Sequence, residues 1–147
     1  MYTTLQVLHS YWAYLVVLVV VLATFNALIK FFAKKEYGAK DFRISLFALI
    51  VTHIQLLMGL ILIFFSPFFV WFSGTHQVGE IMKDATLRLY NVEHPTTMIL
   101  AVVFITMGYS KHKKKLTSTP KFKLLAIFYT LALILMLSRI PWGNWLS

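Results

Sequence analysis

Four apolar runs, each close to the length that crosses a bilayer, constrain this chain more than any other feature. They cover 11–29, 44–65, 95–109 with its flanks, and 122–137 with a continuation to 140. A hydrocarbon core of about 30 Å takes about 20 helical residues at about 1.5 Å each. Each run therefore fits one crossing, and four crossings use most of the 147 residues. Composition agrees: 59% of residues are hydrophobic and 13% charged, with a mean hydropathy of +0.75, against about 45–50% apolar in soluble domains. The first run lacks a basic leading segment, is too long for a signal peptide and ends without a small-residue cleavage site, so it is read as a retained helix.

The net charge of +9 raises nucleic acid as a partner, but its distribution argues otherwise. Eleven of the fourteen Lys and Arg fall in two segments, 30–43 (Lys30, Lys34, Lys35, Lys40, Arg43) and 110–123 (Lys111, Lys113, Lys114, Lys115, Lys121, Lys123). These are the first and third connections between runs. The second, 66–93, sets Lys83 and Arg88 against Glu80, Asp84 and Glu93, and the N-terminal segment has neither Lys nor Arg. The positive-inside rule places the two basic connections in the cytoplasm and both termini outside. The charge is thus topogenic, with no nucleic-acid partner expected.

The expected fold is a single all-α domain over 1–147, a four-helix up-down-up-down transmembrane bundle with spans at about 9–30, 43–66, 92–110 and 121–141. A short amphipathic helix is expected in the outer second connection, where 80–90 carries Ile81, Met82, Ala85 and Leu89 and an Asp84/Arg88 pair at i,i+4. Asn91 is expected to cap the third span, with Pro95 tolerated only because it lies near the helix start. The Trp and Phe of "SPFFVWFSG" (66–74) and the pair Trp142 and Trp145 suit the membrane interface.

Polar side chains within spans are costly and are functional candidates by default. His53 lies ten residues past Arg43, about 15 Å into the bilayer, whereas His94 and His9 fall about 25 Å and about 31 Å from the cytoplasmic edge, in the outer half. Two neutral imidazoles from facing helices of an apolar bundle suit a b-type haem, one on each face of the iron. His94, Met98, Ala101, Ile105 and Gly108 share one helical stripe with small residues where a flat ring could lie. Arg139, Lys83, Arg88, Tyr11 and Trp12 are expected level with the propionates. The ligand set is His94 with either His9, favoured by level depth, or His53, favoured by burial. Glu93 and Gln55 are the candidates to orient the ligand rings. His76 and His112 are read as loop residues.

Two other readings use the same residues. His9, His94 and a methionine, Met98 or Met82, could hold copper, since imidazole and thioether both suit it. Alternatively the histidines hydrogen-bond neighbouring helices, and the chain is a cofactor-free subunit of a larger membrane complex. The absence of cysteine removes disulfides, thiolate metal sites, iron–sulfur clusters and c-type haem attachment. No motif specifies an enzyme, so an electron carrier or subunit is the expectation.

The segments "LHSYW", "DFRISLFALIVTHIQLLMGLILIFFSP", "IMKDATLRLYNVEHPTTMILAVVFITMGYSK" and "IFYTLALILMLSRIPW" together resemble the small four-helix inner-membrane proteins of Bacteroidota labelled cytochrome b-like. The resemblance covers nearly the whole chain. It implies a haem protein of the bacterial inner membrane with periplasmic termini and with His9, His53 and His94 at the family's histidine positions. A quinone or respiratory-complex partner and self-association remain open. One departure stands out: Ala13-Tyr14 follows "LHSYW" where the family pattern carries an arginine–tryptophan pair.

Overall fold

The computed structural model describes residues 2–71 and 73–145, and the side chains of Asn144 and Trp145 are not among the features described. The interface anchors expected at Phe72 and Trp145 therefore lie outside the described side chains. The elements are all helical: α1 (Tyr2–Phe32), α2 (Ala39–Phe65), α3 (Val78–Lys83), α4 (Ala85–Arg88), α5 (His94–Lys113), α6 (Ser118–Arg139) and α7 (Trp142–Trp145). A π-helical turn, Leu89–Glu93, fuses α4 to α5. Four helices are long and apolar enough to cross a membrane: Tyr2–Phe32, Ala39–Phe65, Ala85–Lys113 and Ser118–Arg139.

These four pack as a ring in which α1 touches α2 and α6, and α5 touches the same two. The centre is built from small and β-branched residues, Val16, Val20, Ala23 and Ala27 of α1 with Ala48 and Val51 of α2, Ala101 and Ile105 of α5, and Ala132 of α6. Small side chains let helix axes approach closely, the packing that replaces hydrophobic driving force inside a bilayer. Gly108 is the tightest case. A Cβ built there would lie 2.7 Å from Phe128 Cβ, so only glycine permits this α5–α6 distance. Facing outward are Leu18, Leu22, Ile29, Leu57 and Ile134, each more than half exposed, as in a multi-pass membrane protein whose outer surface contacts lipid.

Helix ends differ from the sequence reading, for identifiable reasons. The basic connection after α1 shortens to 33–38 because Asp41, buried in the first turn of α2, accepts from Lys30 Nζ, Asn26 Nδ2 at 3.0 Å and Gly38 N at 2.9 Å. Lys30, Lys40 and Arg43 consequently sit on helices rather than in a loop. The helix expected across 80–90 breaks at Asp84, whose carboxylate caps α4 by accepting from the N–H groups of Thr86 and Leu87. Arg88 is thus not its partner; it bonds Met82 O and Glu93 instead.

The third span starts earlier than Pro95 suggested. Proline has no N–H, so the carbonyl four residues before it, that of Asn91, loses its helical donor. The backbone opens into the π turn there, and the indole N–H of Trp71 donates to Asn91 O at 2.9 Å. Asn91 is not a cap. Its buried amide takes Val70 N and gives to Phe68 O and Leu87 O, tying the connection after α2 to the turn.

Candidate cofactor site

His9 reaches inward from the third turn of α1, and His94 opens α5 directly after the π turn. Their ring centres are 6.4 Å apart with planes at 80°. Both line a cavity of about 240 Å³ whose walls come mainly from apolar residues, among them Met98 and Val102 of α5, Leu56 and Gly59 of α2, and Met136 of α6. The stripe read from the sequence on α5 faces inward: His94 and Met98 line the cavity, while Ala101, Ile105 and Gly108 are buried below it.

His94 Nδ1 lies 2.8 Å from Arg139 O. A carbonyl only accepts, so Nδ1 carries the proton and Nε2 of the neutral ring holds a free lone pair. Arg139 is the last residue of α6, where a helix leaves carbonyls without intrahelical partners. One contact thus satisfies a helix end and fixes the tautomer a metal-ligating imidazole needs. Arg139 therefore meets the site through its backbone; its guanidinium bonds Ser138 O at 2.8 Å and stands 4.0 Å from Glu93. Glu93 does not reach a histidine but pairs with Arg88 at 3.4 Å.

On the other side, Gln55 Nε2 donates to the backbone carbonyl of His9 at 2.9 Å. Gln55 Oε1 and His9 Nδ1 are both buried without a hydrogen-bond partner. Gly59 clears space for the His9 ring: a Cβ there would lie 3.3 Å from Cε1. Trp12, expected near the propionates, spends its N–H on Val51 O at 2.9 Å.

His53 stands apart. Its side chain is exposed, not buried as its mid-span depth suggested, with Nδ1 on Leu49 O at 2.7 Å and Nε2 near Thr106 of α5. It is absent from the cavity wall. His76 is exposed in the connection before α3, beside Thr75. His112 is not in a loop: it is fully buried in the last turn of α5, donating from Nδ1 to Tyr109 O and accepting the Tyr37 hydroxyl proton at Nε2, 2.7 Å away. Among the described residues no group of three or more His, Cys, Asp or Glu side chains gathers as a metal site would.

Metal–imidazole bonds of about 2.0–2.1 Å would set two ligating nitrogens about 4 Å apart, and the ring centres of His9 and His94 stand 6.4 Å apart. No model of a protein family, no curated protein and no solved structure matches the chain.

Proposed function

We propose that the chain is a membrane electron carrier that holds one b-type haem between His9 and His94. The single observation that supports this most is the pair itself, two imidazoles with ring centres 6.4 Å apart lining an apolar cavity, one with its tautomer already set by Arg139 O. The cavity, about 240 Å³, is smaller than the range of about 300–1,000 Å³ usual for drug-sized ligands, so these walls would enclose a macrocycle only in part. Bound there, haem supplies one-electron chemistry, and two protein ligands leave no open iron position for substrate. The protein's own part is orientation and exclusion of water. His94 is held by the end of α6, His9 has room because residue 59 is glycine, and Met98 and Val102 keep the surroundings apolar.

The same reading places the four helices up-down-up-down across a bacterial inner membrane with both termini on the periplasmic side. Two facts support it. Contacts between α1 and α2 run in opposite sequence order, Lys30 with Asp41, Trp12 with Val51, and His9 beside Gly59. The two basic connections also meet at one end, where Tyr37 N donates to Ser118 Oγ and its hydroxyl to His112. A reporter fused after Ser147 tests orientation, with activity outside expected.

The mutational test compares His94→Ala and His9→Ala with His53→Ala and His76→Ala in the purified protein. The first two are expected to abolish a low-spin b-type spectrum and the last two to retain it. Low-spin haem persisting in His94→Ala removes that residue as a ligand. Copper is the second reading, favoured by Met98 on the same cavity wall, and metal analysis separates the two.

A further inference from the structure

Folding brings the two basic connections to one end of the bundle and ties them together. Tyr37 of the connection 33–38 donates its N–H to Ser118 Oγ at 2.8 Å and its hydroxyl to His112 Nε2 at 2.7 Å, and Lys121 Nζ lies 4.9 Å from the centre of the Tyr37 ring. Eleven Lys and Arg belong to the segments 30–43 and 110–123, and of these only Lys30 and Lys121 are not exposed. Nine exposed cations therefore share one end. The same segments hold two acids, Asp41, which is buried and committed to Lys30, and Glu36. The opposite end has no such excess, since Lys83, Arg88 and Arg139 stand with Glu80, Asp84 and Glu93.

The positive-inside rule acts on each connection separately and does not ask that the two be joined. Exposed like charges repel over a Debye length of about 8 Å, so the joined surface favours an anion that can face both connections. None of the nine cations lies more than five residues from a helix end, about 8 Å along a helix axis and close to the depth of one headgroup layer. That depth suits a lipid phosphate better than a soluble acidic protein. Phe32, 75% exposed at the end of α1, is an apolar side chain at the same level, suited to the boundary between headgroups and acyl chains. Lys34 follows α1 at φ 55°, in the left-handed region that glycine enters without steric cost, yet the position carries a cation. We propose that this end of the bundle binds the phosphate headgroups of anionic phospholipids across the junction of connections 33–38 and 114–117. This rests on the membrane-embedded reading of the helices and not on the haem.

The test reconstitutes the full chain in phosphatidylcholine vesicles and follows spin-labelled phosphatidylglycerol and spin-labelled phosphatidylcholine by electron paramagnetic resonance, which reads the fraction of each lipid held against the protein. Phosphatidylglycerol is expected to associate about fivefold more strongly, the effect of one basic side chain near a membrane surface, and to lose that preference at high salt. Lys34→Gln, Lys35→Gln, Lys114→Gln and Lys115→Gln combined, all at exposed positions of the junction, are expected to remove most of it, whereas Lys83→Gln of α3 at the other end leaves it intact. Lys34→Gly is expected to lower the preference while raising resistance to unfolding by SDS, because glycine relieves the backbone there; a variant that merely misfolds would lose both. Equal association of the two lipids, a preference untouched by the combined substitutions, or one lost with Lys83→Gln overturns the proposal. So does stronger displacement by inorganic phosphate than by chloride at the same ionic strength, which would give the site to free phosphate. Restriction of neither lipid would refute the membrane-embedded reading itself, and the proposal with it.

Discussion

Replacing Gly108 by alanine sets two effects of opposite sign against each other, and the structure decides between them. Alanine is the better helix former by about 1 kcal/mol in an exposed helix interior, so propensity alone makes Gly108→Ala stabilising. The added Cβ, however, would lie 2.7 Å from Phe128 Cβ and 3.3 Å from Tyr129 Cδ1 and Cε1. Carbon atoms rest at about 3.5–4.0 Å, so the overlap with Phe128 is about 1 Å. That atom is attached directly to the α6 backbone and cannot swing away. Tyr129 is fully buried and its hydroxyl donates to Ser45 O at 2.8 Å, so it resists moving too. Overpacking of this kind costs about 1–3 kcal/mol, leaving a net loss of up to about 2 kcal/mol. The assay is unfolding in detergent micelles by SDS titration, followed by circular dichroism. Gly79→Ala is the internal control, because a Cβ there meets nothing within 4 Å, and it should be neutral or slightly stabilising. If Gly108→Ala stabilises the protein as Gly79→Ala does, the close α5–α6 approach is wrong.

Other perturbations read separate parts of the bundle. Asp41→Ala leaves Lys30, Asn26 and Gly38 N without their common acceptor; breaking a buried pair costs about 3–5 kcal/mol. Lys30 is 29% exposed and can turn to water, so a loss toward the lower end is expected in the same SDS titration. Asn91→Ala removes three bonds that tie the connection after α2 to the π turn, with a local cost of about 1–3 kcal/mol per buried group left unsatisfied; faster proteolysis within 66–76 is the expected readout. Tyr37 lies in the connection between α1 and α2, and burial pushes its hydroxyl from the ordinary 10.0 up to about 12. Folding therefore favours the protonated phenol, so its contribution is complete below about pH 10 and lost as pH rises through about 12. Tyr37→Phe should flatten the fall in thermal stability between pH 10 and 12, and an unchanged fall would dissociate it from Tyr37.

The spans were legible because their signal is additive: any one residue of 44–65 could change and the run would remain apolar and long. Their ends were not, because single contacts set them. Asp41 moves the start of α2 back to Ala39 through partners on α1, a pairing fifteen residues distant that no local pattern encodes. Pro95 looked like a helix start and proved to be inside a continuous span, since Trp71 supplies the N–H that relieves Asn91 O. At the site, depth counting put His9 level with His94, and these are the two rings the structure brings together. Depth said nothing of azimuth, which is why His53 could be taken as buried and is exposed. His112 lies among lysines in the basic segment 110–123, and nothing local marks it as buried, since its Tyr37 partner is 75 positions away. The positions of Gly59 and Gly108 against specific rings likewise required the packed bundle.

Whether His9 and His94 hold haem is the claim on which the account turns, and a reduced-minus-oxidised visible spectrum of the purified protein, with metal analysis of the same sample, addresses it directly. The account predicts a low-spin b-type difference spectrum with about one iron per chain. A featureless spectrum without iron would contradict it, leaving copper if the analysis finds that metal and a cofactor-free membrane subunit if it finds none.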